Sequence, residues 1–98
     1  MKVQSFKPSR EMTFATVQSD CERLVKYFRE VTSNLVKLDL SEVTHCDSAG
    51  LALLIEAKRL SAVRNKTCEV EGMSKAVHAL AEFCGVDAIL RPADDVAS

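Results

Sequence analysis

The chain has 98 residues, 47% of them apolar and 28% charged, with a formal net charge of −1. That is one domain's worth of sequence, able to bury about two-thirds of its unfolded surface and ordinary in composition. Lys and Arg are scattered among Asp and Glu, so there is no basic stripe of the kind that nucleic acid or anionic lipid requires.

The first segment, Met1 to Pro8, lacks the apolar stretch of a secretory signal. Two short extended pieces are predicted, around Lys2 to Lys7 and Glu11 to Gln18, joined by the turn residues Pro8-Ser9 into a hairpin. Met12, Phe14 and Thr16 alternate with polar neighbours, as a half-buried strand should. Ser19-Asp20-Cys21-Glu22 has the form of a capping box. Cys21, Leu24, Val25, Phe28 and Val31 then follow at helical spacing, which predicts an amphipathic helix ending near Ser33-Asn34.

Val36, Leu38 and Leu40 point one way and Lys37 and Asp39 the other. This is the pattern of a strand covered by helices on one face and partly open on the other. A second helix starts at Asp47-Ser48, with Leu53, Leu54, Ala57 and Leu60 on its core face. Leu51, Ala52 and Ile55 fall outside that stripe, which means either deeper burial or a contact patch. The run Leu51 to Ile55 is far too short to cross a bilayer, so no direct membrane insertion is expected.

Asn65-Lys66 leads into a strand at Thr67 to Glu71, and Gly72-Met73-Ser74 breaks it. A third helix carries Val77, Leu80, Ala81 and Cys84 inward, with Gly85 at its C′ position. His78 reads as a surface residue of that helix. Val86, Ile89 and Leu90 return to the core. Residues 1–92 form the domain, and 93–98 are a polar tail.

The expected fold is therefore α/β, a single domain in the order β-β-α-β-α-β-α. Its mixed sheet has about four strands, parallel through the crossovers and antiparallel in the opening hairpin, with helices mainly on one face.

The chemistry-bearing residues are few. The three glycines are isolated, so no phosphate loop exists. His45-Cys46-Asp47 are adjacent, and adjacent residues do not converge on one metal or one substrate atom. Cys21, Cys46, Cys68 and Cys84 lack metal-finger spacing and read as buried free thiols of a reducing cytosol. No catalytic residue, metal or cofactor is expected. Ser48 stands apart because it opens a helix, where free N–H groups and the peptide dipoles favour a cap, a phosphate or a docking contact.

The string Leu38-Asp39-Leu40-Ser41, then Val43, then Asp47-Ser48-Ala49-Gly50-Leu51, resembles the signature of STAS domains, whose compact fold has a similar element order. The resemblance covers almost the whole chain. One branch of the family, the anti-sigma factor antagonists, is phosphorylated by a partner kinase on the hydroxyl residue after the Asp. Ser48 holds that place and would be the phosphoacceptor. Those proteins usually continue with Ser or Thr and then Gly-Leu-Gly, after a Gly-Glu-Leu-Asp-like turn before the first helix. This chain has Ala49 and Ala52 in the signature, and of that turn keeps only Asp20.

Asp47 to Leu54 is more similar to the junction of the small cytoplasmic STAS subunit of the Mla-type phospholipid ABC transporter. That resemblance implies a non-catalytic protein docking on the transporter's ATPase subunit at the inner membrane. The implied contact comprises Asp47, Ser48 and Ala49 at the tip, Leu51 and Ile55 as apolar anchors, and His45 at the rim.

Overall fold

Alternation in the middle of the chain builds the centre of the sheet. A computed structural model describes residues 5–90, and the expectations for Lys2 to Gln4, for the domain's end at 92 and for the tail at 93–98 lie outside them. Within that span the strands are β1 (Ser5–Phe6), β2 (Glu11–Met12), β3 (Leu35–Asp39), β4 (His45–Cys46) and β5 (Thr67–Glu71). The helices are α1 (Val17–Glu30), α2 (Ser48–Val63), α3 (Lys75–Phe83) and a single turn, α4 (Asp87–Leu90). The domain is α/β, with β4 and α4 added to the expected order.

The main sheet runs β1-β3-β5, and β2 and β4 form a separate ribbon. Val36, Leu38 and Leu40 are buried, and Val36 and Leu38 pair with Cys68 and Val70 of β5. Leu24 and Phe28 of α1 join Leu51, Leu53, Leu54 and Ala57 of α2 in the core with them. The opposite side of the sheet is polar, with Lys37 Nζ 3.5 Å from Glu71 and Lys7 Nζ 3.8 Å from Asp39.

Among the described residues the opening hairpin and the antiparallel pairing it implied are not found. β1 runs parallel to β3, and β2 parallel to β4, so every strand pairing among the described residues is parallel. The reason lies at the Pro8-Ser9 connection. The fully buried Asp20 carboxylate accepts the Ser9 N–H at 3.1 Å and the Ser9 hydroxyl at 2.7 Å. Arg23 donates to Asp20 at 2.9 Å and to the Lys7 carbonyl at 2.6 Å. Held this way by α1, the connection carries the chain onward instead of folding it back along β1.

Four local expectations also change. Thr13 and Thr16 close a turn, with Thr16 N–H and Val17 N–H both donating to the Thr13 carbonyl and Thr13 N–H to Thr16 Oγ1. The helix therefore starts at Val17, which puts Ser19 and Glu22 inside it and leaves no capping box. The same turn ends the strand at Met12 and leaves Phe14 83% exposed.

The third change concerns the thiols. Cys68 is buried, Cys21 and Cys46 are half-buried, and Cys84 at the C-cap of α3 is exposed. Of the residues expected to return to the core, Leu90 does so, while Ile89 is 50% exposed. Gly85 follows the end of α3 at φ +74, as expected, and Ser74 caps the start of that helix by accepting the Val77 N–H.

Gly50 sets how closely α2 approaches the β2–β4 ribbon. A Cβ there would lie 2.1 Å from the Met12 carbonyl oxygen and 2.8 Å from Cys46 Sγ. The first obstacle is backbone and cannot rotate away. Gly50→Ala is therefore expected to cost about 1–3 kcal/mol through overpacking, read as a lowered urea midpoint. An unchanged midpoint would show that the ribbon yields freely.

Candidate functional site

The site grows from the place where the ribbon meets the start of α2. The Thr44 N–H donates to the Arg10 carbonyl at 2.7 Å and the Asp47 N–H to the Met12 carbonyl at 3.2 Å, which fixes the end of β4 beside β2. Asp47 then caps α2. Its Oδ1 accepts the Ala49 N–H at 2.9 Å and the Gly50 N–H at 3.2 Å. Its Oδ2 reaches across to the Phe14 N–H at 3.0 Å, and its carbonyl accepts the Leu51 N–H.

The Phe14 N–H is the largest influence on the Asp47 carboxyl. With the Gly50 and Ala49 N–H groups, and against the opposing effect of burial, it holds that carboxyl below its ordinary range. The Ala49 and Gly50 N–H groups of the helix start are thus already engaged, and a carboxylate sits among them. This helix start is not an open anion seat, whatever its dipole would favour.

Ser48, the first residue of α2, is exposed, and Ala49 beside it is half-buried. Leu51 is 2% exposed and belongs to the core, which corrects its expected place as a surface anchor. Ile55 is half-buried and packs against the core, so it offers only part of its side chain. The cause is that α2 packs at once against α1, the ribbon and α4, which covers apolar residues on more than one of its faces. Of the three residues outside the predicted stripe, only Ala52 is exposed.

His45 is exposed at the rim, with Nδ1 3.2 Å from Thr44 Oγ1 and 3.9 Å from Glu11 Oε2. Burial, with Asp47 adding to it, pushes the Cys46 thiol up to about 11. That thiol stays protonated near neutral pH and is a poor nucleophile. His45, Cys46 and Asp47 point to separate tasks, and the described residues contain no cluster of three potential metal ligands.

Sequence reasoning missed Phe14. Its alternation with Met12 looked like a strand, but the Asp47 bond fixes its backbone one residue from Ser48 while the ring stands in water. The signal lay in the Thr-x-x-Thr spacing around it, which favours a side-chain-supported turn. Ser48 and Ala52, one turn apart on α2, thus expose a small hydroxyl and a methyl, and the exposed Phe14 ring stands on the loop that Asp47 ties to that helix start.

A protein-family profile described as "Mlab, STAS domain" matches residues 16–92. The chain belongs to this family of STAS domains. No curated protein matches it. Among the described residues, no helix is long and apolar enough to cross a membrane.

Asp47 should leave a signature in the pH dependence of stability. Its folded pKa lies below the unfolded value, so it stabilises the domain above the ordinary carboxylate range. That contribution is lost as pH falls through the folded pKa. Between about pH 5 and about pH 3, the urea midpoint of the wild type should fall more than that of Asp47→Asn. Parallel pH profiles would show that the carboxylate has no special role.

Proposed function

We propose that this chain is a non-catalytic subunit of a bacterial phospholipid ABC transporter, which binds and supports the ATPase subunit at the cytoplasmic face of the inner membrane. Its role there is in maintaining the lipid asymmetry of the outer membrane. Membership in the Mlab-described STAS family supports the reading, as does the likeness of Asp47 to Leu54 to that subunit's junction.

The observation that carries a docking role is the exposed Ser48 tip with Phe14, 83% exposed, held next to it through Asp47. An exposed aromatic on a fixed backbone can enter a partner pocket with little loss of conformational freedom. In this reading Asp47 positions the contact, and Ser48, Ala49, Ala52 and Phe14 make it. His45 and the exposed part of Ile55 border it.

Phe14→Ala should weaken binding of the purified ATPase subunit by about 2 kcal/mol, or roughly thirtyfold in Kd, with unchanged urea stability. Ala52→Glu should abolish co-purification while the domain stays folded. Leu51→Glu, by contrast, should unfold the domain, because it drives a carboxylate into the core. Normal binding by both Phe14→Ala and Ala52→Glu would remove this end of the molecule as the docking surface.

A second reading, an anti-sigma factor antagonist switched by phosphorylation of Ser48, is favoured by one observation: the Ser48 residue is exposed at the tip. A phosphate there adds about −1.5 to −2 charge beside Asp47, whose carboxylate already takes the nearby N–H donors. It would act by repelling a partner. Co-expression with the cognate kinase and intact-mass measurement separates the readings. A phosphate adduct lost in Ser48→Ala would support the switch, and its absence together with ATPase binding would support the transporter subunit.

A further inference from the structure

Among the described residues the outer edge of β5 carries no further strand, and two side chains stand against pairing there. Thr67 donates its N–H to the Asn34 carbonyl at 2.9 Å, and the Glu71 carbonyl accepts the Leu40 N–H at 2.8 Å. With the register Leu35↔Thr67 through Asp39↔Glu71, Thr67, Glu69 and Glu71 turn their backbone groups toward β3. In a parallel ladder the residues between them turn theirs the other way. Cys68 and Val70 therefore direct their N–H and C=O groups outward. Among the described residues no further strand pairs with that edge.

One of those outward acceptors is occupied. Lys58 reaches from α2 and donates its Nζ to the Cys68 carbonyl at 2.7 Å. A second obstacle follows from symmetry. Two copies joined edge to edge by a two-fold axis would pair antiparallel about Glu69. Cys68 of one copy would then exchange N–H and C=O bonds with Val70 of the other. This register places the Glu69 carboxylates of the two copies directly opposite each other, which is destabilising.

We propose that the β5 edge is a self-pairing site for a second copy of this chain, kept closed by Lys58 on the Cys68 carbonyl and by the charge of Glu69. Lysine and like charges at exposed edges are a common means of preventing sheet-to-sheet association. The proposal concerns a different part of the molecule from the Ser48 tip and does not depend on the reading of that tip.

The test is the double variant Lys58→Met, Glu69→Thr. Met keeps the apolar stem of Lys58 and frees the carbonyl, and Thr suits a strand without the charge. In sedimentation equilibrium the double variant should dimerise, with self-association at least about tenfold tighter than wild type. Each single variant should fall between the two. The amides of Cys68 and Val70 should gain hydrogen-exchange protection in the dimer, while that of Ala52 should not.

A double variant that stays folded by circular dichroism and remains no more associated than wild type would overturn the proposal. So would a dimer in which the Cys68 and Val70 amides exchange as before. A wild-type protein already dimeric with those amides protected would equally refute the closed edge.

Discussion

The carboxylate of Asp47 ties the loop after β2 to the first turn of α2, where the β2–β4 ribbon meets the helix. One oxygen holds the first turn of α2 through Ala49 and Gly50, and the other holds the loop after β2 through the Phe14 N–H. The Asp47 backbone adds the Met12 carbonyl on one side and the Leu51 N–H on the other. Through this residue the loop carrying Phe14 is set beside the start of α2, which carries Ser48 and Ala52.

The tie works because the backbones around it come unusually close. Without a side chain at Gly50, the helix start rests directly on the Met12 carbonyl. In the β1–β2 connection, the buried Asp20 does a similar job for Ser9 and Arg23. Two aspartates thus place the irregular stretches between the first strands and α1, where two-residue strands offer few ladder bonds. The rest of the domain is held in the ordinary way, by apolar side chains of α1 and α2 on the buried face of β3 and β5.

Much of the architecture was readable where a period ran for five residues or more. The alternation of β3, the bounds of β5 and the glycine after α3 all come from local patterns that tertiary contacts did not override. The start of the chain was not readable. Ser5–Phe6 and Glu11–Met12 are too short to show a period, and their partners lie more than thirty residues away. Proximity in sequence suggested a hairpin, but long-range parallel pairing won. Within the site, the Asp47-Ser48 junction was visible from residue type alone. The burial of Leu51 was not, because it depends on how many neighbours crowd the first turns of α2. The exposure of Phe14 was hidden by an alternation that a threonine turn cut short.

The unequal burial of the thiols has a practical consequence. Cys46 and Cys68 are pushed above the usual thiol range chiefly by burial, Cys21 is half-buried, and only Cys84 is exposed at the end of α3. A maleimide dye applied briefly near neutral pH would therefore attach mainly to that one sulfur. The native chain carries its own labelling position, so fluorescence could follow its encounters without engineering any residue.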